Sequence, residues 1–519
     1  MSIIHRNSEV GAVATGAPAA TDAGAEMLRV GGTAADAAVA AALAICVADP
    51  ANASLLGRCH IVVRTRDRRF AAIDGASVIP SRLPQTLGTG PLAGAAIPGL
   101  PQALEKLHAE HGRLPLSVVA GPAARLAEVG FIPPKRLAAA WALNANALAQ
   151  GGADPYLDGV HPPALFRHER LAALLRGFGA AGAAAITTGQ TARSLAEGVR
   201  ARGGHWRVED LSANPARDGE VLHGRFRDCQ VTTIGRQGWG HSLIEMLSIL
   251  DRLPRFGRKL TGFEACSLIA VIEACFADRP ERLGSLEPKP GARAFETLIS
   301  PDFVSARAAE IAQRLAEDVP SVAPAGAESP ALMQSKDTTH LSTLDADGST
   351  VAITLSIGPH FGLCATDAAF GLFPAKSYRM DVEPIPGARD ITEMSPVIVT
   401  RGDRVLLSVG AAGSERIPGA VVQAIVNVVD RGLNLGDALR WPRVNVVNGE
   451  PRVHAHAGAE VIAALRSRWP RLQVAEHLGI VHAVGQDAGG NLDGAADPVW
   501  DGTFTVVSGP LTGRLAPRE

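Results

Sequence analysis

Residues 336–342 read Lys336-Asp337-Thr338-Thr339-His340-Leu341-Ser342, and a strand-like run follows them as far as Ser356. Thr339, Leu341, Thr343 and Leu344 carry a β pattern into Asp345-Ala346-Asp347-Gly348, a turn signal. Thr350-Val351-Ala352-Ile353-Thr354-Leu355-Ser356 then reads as the return strand, so the stretch predicts a β-hairpin.

Upstream of the hairpin, residues 316–336 are rich in Pro, Ala, Gly and Ser without periodicity, and they read as a linker. Ahead of that linker the chain is largely helical. Residues 10–15 look like a first strand. A helix over 23–29 is expected behind a Thr21-Asp22 cap, closing at Gly31-Gly32. Thr33 caps a second helix over 34–47, and a loop over 51–60 leads to strands at 61–65 and 70–74. Helical spacing dominates from Leu100 onward, interrupted by a strand at 229–234 before helices at 241–250 and 261–277. Behind the hairpin the pattern is β-rich, with strands at 396–400, 404–409, 480–485 and 502–507 and one strong helix over 418–431.

Composition narrows the function classes. The chain has 519 residues, enough for three average domains, and a formal net charge of −2, which gives no reason to expect nucleic acid or an anionic membrane as partner. Its six cysteines lack metal-ligand spacing and imply no disulfide framework. Neither a metal nor another cofactor is expected. The most apolar run, 34–48, is framed by Asp36 and Asp49 and reads as a buried helix; no run approaches 18 apolar residues and the first seven residues lack a signal-like apolar core. A soluble, cytoplasmic protein is expected.

Several segments, taken in order, resemble the γ-glutamyltranspeptidase family over nearly the whole chain. They are Gly31-Gly32-Thr33-Ala34-Ala35-Asp36-Ala37-Ala38-Val39-Ala40, Ala96-Ile97-Pro98-Gly99, Gly112-Arg113-Leu114-Pro115, Ala277-Asp278-Arg279, Asp337-Thr338-Thr339-His340, Met394-Ser395-Pro396 and the loop 410–417. The resemblance implies an α+β fold, the four-layered αββα sandwich of N-terminal-nucleophile (Ntn) hydrolases, with additional helices in the N-terminal part. It also implies self-cleavage between Asp337 and Thr338. The products would be a large chain, 1–337, and a small chain, 338–519, that pair as one unit and could dimerise further.

The chemistry of such a site is simple. A threonine hydroxyl needs a base, and cleavage supplies one in the new α-amine of Thr338, whose unperturbed pKa of about 8 lies near working pH. By the resemblance, Ser356 stands where the family has a second threonine bonded to the nucleophile. Gly413 and Ser414 fall on its paired oxyanion-hole glycines, at a strand-to-helix turn that places Pro418 first in the helix. His340 is expected to buttress the hairpin rather than take the proton.

Departures cluster at the family's grip on the glutamyl head group. Ala76 falls where its carboxylate-binding arginine belongs, Thr392-Glu393 replace its paired serines, and Gly358 replaces an asparagine. Ser377 and Met380 fall on its amine-holding residues, with Asp381 one position away. Arg58, His60 and His360 are the candidate new substrate contacts, together with Thr339, Thr392 and Glu393. Removing buried polar partners removes the preference they create. The expectation is therefore an amidohydrolase cleaving a small, non-γ-glutamyl amide, an oxamate-like amide being one candidate. A γ-glutamyltransferase or glutathione hydrolase with a rearranged pocket is the alternative, and an uncleaved, non-catalytic binding relative is a third reading.

Overall fold

The structure is a computed structural model that describes residues 8–153, 156–158, 161, 163–279, 293–317, 336–382, 384–497 and 499–509. The linker read at 316–336 lies outside the described residues except at its ends: Ala316 closes the helix Pro301–Ala316, and Lys336 opens a strand.

The hairpin forms as its sequence predicts and sits at the centre of a seven-stranded sheet. In order across that sheet run Thr503–Gly509, Ser8–Thr15, Lys336–Asp345, Thr350–Pro359, Arg58–Arg64, Phe70–Gly75 and Arg217–Asp218, every neighbour antiparallel. A six-stranded sheet runs Leu492–Ala496, Ile480–Gln486, Arg404–Ala412, Val397–Arg401, Cys229–Ile234 and Val221–Phe226, also antiparallel.

Alternation decides which face of each strand goes where, because successive side chains point to opposite sides. Ala12, Ala14, Val62, Leu344 and Ala352 of the first sheet face inward and meet Ile234, Ile398, Val405 and Val484 of the second. Their neighbours Val13, Ile61, Val63 and Ile353 face outward and pack under the helices Pro18–Arg29, Ala34–Ala48, Leu100–His111 and Leu116–Val129. On the other side Val397, Val399, Leu407 and Val409 pack under Gly240–Leu250, Gly262–Asp278 and Arg416–Val429. Helix, sheet, sheet, helix is the layer order. Further helices, Lys135–Gln150, Glu169–Ala181 and Gly189–Arg200, extend the N-terminal part. Trp141 of the first joins Phe166, Phe361 and Phe373 in a separate aromatic cluster.

The helix Ala34–Ala48 is buried at every residue. Thr33 and Asp36 form a reciprocal capping box at its start. Asp36 does more than cap: its carboxylate accepts from Thr33 N (2.8 Å), Arg113 N (3.0 Å) and Leu114 N (3.3 Å). Two motifs nearly eighty residues apart in sequence are thus tied by one buried carboxylate.

Three sequence expectations are corrected. The first helix begins at Pro18, whose fixed φ suits an N-terminal position, and not behind Thr21-Asp22. Arg58, Cys59 and His60, read as loop, are buried strand residues paired with Ser356, Leu355 and Thr354; pairing between two central strands outweighs their polar composition. The helix after residue 413 starts at Arg416, leaving Pro418 third in it.

Replacing Asp36 with Ala leaves the Thr33, Arg113 and Leu114 N–H groups without this acceptor, which should cost about 3 kcal/mol of stability. Asp36→Asn, keeping one acceptor oxygen, should cost less. Denaturant unfolding reads this directly, and an unchanged midpoint for Asp36→Ala would show that the carboxylate is dispensable.

Candidate active site

Thr338 is the third residue of the strand Lys336–Asp345 and is nearly buried, at 7% exposure. The ladder slips beside it: Asp337 pairs with Gly358 and Thr339 with Leu355. Ser356 and Ile357 therefore both oppose Thr338, which is a β-bulge, a device that re-aims side chains. Here it brings Thr338 Oγ1 to 3.4 Å from Ser356 Oγ, to which it donates. Gly358 N–H donates to the same Ser356 oxygen at 3.0 Å and fixes it. Gly358 has φ 96°, a left-handed conformation that suits glycine.

The two sheets run in step toward this point. Ser408 Oγ lies 3.4 Å from Ser342 Oγ, and two residues along each strand the His340 ring rests against Gly410, where a Cβ would collide with it. Thr338 lies two residues before His340 on its strand, and the Gly413-Ser414 turn directly follows the strand Arg404–Ala412 that carries Gly410. His340 has both ring nitrogens engaged, Nδ1 with Thr354 Oγ1 (2.9 Å) and Nε2 with Ser342 Oγ (2.8 Å). Burial, helped by the nearby His482, holds its pKa well below the usual imidazole range, so it stays neutral. This is the geometry of a buttress.

At the turn, Gly413 has φ 123° and Ser414 φ 55°. The Gly413 carbonyl accepts from Arg416 N (3.1 Å) and Arg416 Nε (2.9 Å). In a trans peptide the N–H points opposite to the carbonyl, so Ser414 N–H is turned away from Arg416. The turn leads directly into the helix Arg416–Val429, whose N-terminal end favours negative charge. Ser414 Oγ donates to Glu393 Oε1 at 2.8 Å. Thr392 Oγ1 accepts from Met394 N (3.3 Å), and Ser395 Oγ donates to the Glu393 carbonyl (3.0 Å), so the segment before Pro396 is internally braced.

The remaining residues singled out from sequence are distributed as follows. Arg58 lies opposite Ser356 and is buried; its Nη1 donates to Ser77 Oγ (3.1 Å), Lys376 O (2.9 Å) and Asp390 Oδ2 (3.1 Å). Asp390 also accepts from Ser77 (2.5 Å) and Ser377 (2.6 Å), and the guanidinium lies over the Tyr378 ring. Arg58 therefore already has a resident counterion. Asp390, the centre of this cluster, went unnoticed in the sequence, where no spacing links it to residues 58, 77 and 377.

His60 is fully buried, its Nδ1 3.6 Å from Asp74 Oδ1, and burial lowers its pKa. His360 stacks at a tilt on Trp500, centroids 5.7 Å apart. Thr339 Oγ1 lies against Gly16, where any side chain would collide; Gly16 also escaped the sequence reading. Asp381 pairs with Lys376 at 2.7 Å, while Met380 is buried. Among the described residues no group of three or more His, Cys, Asp or Glu is placed to hold a metal.

The family model described as Gamma-glutamyltranspeptidase matches residues 20–507. The "Acylase ACY 1 proenzyme" of Pseudomonas sp. (strain V22) is 29% identical over 96% of this chain and 94% of its own length. The "Glutathione hydrolase proenzyme" of Escherichia coli (strain K12) is 27% identical over 94% of this chain and 90% of its own. A solved cephalosporin acylase from Bacillus halodurans superposes with a TM-score of 0.84 at 24% identity, covering 96% of both chains, and shares the fold.

These matches overturn the expectation of a non-γ-glutamyl, oxamate-like amidohydrolase, because the matching model and a run of relatives are γ-glutamyl-type enzymes. The physical error lay in treating each missing family side chain as a lost contact. Ser377, one of the substituted positions, takes its place in the polar cluster on Asp390 rather than leaving a gap. A non-catalytic binding protein is also set aside: this is a self-processing enzyme of the Ntn-hydrolase superfamily. The chain belongs to the gamma-glutamyltranspeptidase family.

Proposed function

We propose that this chain is a self-processing γ-glutamyl hydrolase or transferase, of the glutathione-hydrolase type, with Thr338 as nucleophile. The observation that carries the reading is the 3.4 Å approach of Thr338 Oγ1 to Ser356 Oγ at the bulge. In processing, Thr338 Oγ attacks the Asp337 carbonyl carbon and the acyl group shifts from nitrogen to oxygen. Water then hydrolyses the ester. This leaves a large chain, 1–337, ending in a carboxylate, and a small chain, 338–519, beginning with a free α-amine.

That amine takes the hydroxyl proton as Thr338 attacks the γ-carbonyl of the donor. Ser356, held by Gly358 N–H, orients the hydroxyl and contributes to its hydrogen bonding. Negative charge grows on the carbonyl oxygen, and the N–H groups of the Gly413-Ser414 turn, at a helix N-terminus, stabilise it. The leaving amine departs with a proton from the Thr338 ammonium, and water or a second amine resolves the ester. Thr339, Arg58, His60, His360, Thr392 and Glu393 form the surrounding shell, with Arg58 acting through its Asp390 cluster.

The matches to glutathione hydrolases support the γ-glutamyl donor. No described helix is long and apolar enough to cross a membrane, and the six cysteines, all described, are free.

Purified wild type should run as two bands on a denaturing gel, the smaller beginning at Thr338 by N-terminal sequencing. Thr338→Ala should run as one. A single wild-type band would defeat the proposal. The processed protein should release p-nitroaniline from γ-glutamyl-p-nitroanilide, and processing without release would exclude γ-glutamyl donors. Ser356→Ala removes one hydrogen bond from the nucleophile and should lower turnover about tenfold. Unchanged turnover would assign Ser356 to the scaffold alone.

A further inference from the structure

We infer that Glu393 is a positioning residue that locks the oxyanion turn through the hydroxyl of Ser414. This rests on the acyl-transfer reading of Thr338 given above. Ser414 is one of six described non-glycine residues with positive φ, at 55°. An L side chain disfavours that conformation, whereas glycine adopts it freely. A serine there needs support from outside its own backbone if the turn is to hold one shape. Its hydroxyl finds that support in Glu393 Oε1 at 2.8 Å, a hydrogen bond strengthened by the acceptor's charge.

The rest of the turn is clamped by different groups. Arg416 N and Nε hold the Gly413 carbonyl, Ile417 N holds the Ser414 carbonyl at 2.9 Å, and Asn448 N reaches Glu415 Oε2 at 2.9 Å. These backbone and side-chain bonds thus fix the far side of the turn, and the Ser414 side chain is held separately by Glu393. Between them the Ser414 N–H is set in direction. Glu393 can serve as an anchor because it is itself rigid: it is 5% exposed, its carbonyl is bonded by Ser395 Oγ, and Thr392 N reaches Gln237 O at 3.4 Å.

Direct contact with the donor is the competing role for the same carboxylate, and the two differ in what Ser414→Gly does. If Glu393 works through Ser414, a glycine at 414 makes it unnecessary. If Glu393 touches the donor, its removal costs the same with either residue at 414.

The test uses full-length, processed protein as wild type, Glu393→Ala, Glu393→Gln, Ser414→Gly and the double variant Glu393→Ala/Ser414→Gly. Two readouts are taken: kcat and KM for γ-glutamyl-p-nitroanilide, and the rate at which p-nitrophenyl acetate acetylates Thr338. Glu393→Ala should lower kcat and acetylation at least tenfold with KM changed less than about twofold, as weakening one oxyanion donor predicts. Glu393→Gln, which keeps an acceptor oxygen, should recover most of the rate. Ser414→Gly sets its own reference rate, and Glu393→Ala should cost nothing further on that background.

Equal losses from Glu393→Ala in both backgrounds, or a loss confined to KM, overturn the inference. Should Glu393→Ala fail to process, an active double variant still supports the lock and an inactive one refutes it. A processed wild type that ignores the anilide defeats the γ-glutamyl reading alone, because acetylation of Thr338 still judges Glu393. An unprocessed wild type defeats the acyl-transfer reading itself, which the gel reports before any variant is compared.

Discussion

The antiparallel pairing of Lys336–Asp345 with Thr350–Pro359 is the interaction on which the site depends. It places Thr338 in a central strand of the sheet, which pairs with Thr350–Pro359 on one side and, from Leu341 onward, with Ser8–Thr15 on the other. One slip in that ladder sets two residues opposite Thr338 and brings Ser356 within hydrogen-bond reach of it. The far end of the hairpin is equally anchored. Asp345 accepts from the Ala34 N–H at the start of the buried helix (3.0 Å), and Thr343 Oγ1 donates to the Ala34 carbonyl (2.7 Å). Helix Ala34–Ala48 is in turn tied to residues 113–114 through Asp36. A chain of bonds thus runs from the outer helix layer to the strand that carries Thr338.

Small residues at the inner layer let the second sheet come close enough to contribute. Ala12, Ala14 and Ala352 line the inter-sheet face, and Gly410 makes room for the His340 ring. Because interiors are packed without slack, bulk at Gly410 would displace the His340 ring. Polar groups in this layer are paired off against one another, as in the row of Thr354, His340, Ser342 and Ser408. The layer is a mixed apolar and polar spacer that sets the distance between the two sheets.

What could be read in the sequence was what local rules encode. Period-two alternation and the Asp-Ala-Asp-Gly turn gave away the hairpin, and Thr33 as a cap marked the helix behind it. The bulge was not legible, because it is a property of register between strands. The cluster joining Arg58, Ser77, Ser377 and Asp390 was hidden for the same reason: its members meet only in the fold. Arg58 and His60 looked like loop residues because charge and imidazole are unusual in a central strand. The acyl preference was misjudged because missing side chains are visible in a sequence, while the partners that surround their replacements are not.

Sheet order also explains why a cut before Thr338 need not release either piece. Strands from before and after residue 338 alternate in the first sheet. Ser8–Thr15 lies between Thr503–Gly509 and Lys336–Asp345, and Arg58–Arg64 lies beside Thr350–Pro359. In the second sheet Val397–Arg401 pairs with Cys229–Ile234. Among the described residues four ladders would therefore join the two proposed products, and separating them would expose both sheet interiors together. The new terminus is held in a central strand whose neighbours on either side remain paired. Cleavage can then remove one peptide bond and add one amine while leaving the position of Thr338 set by the same strands as before.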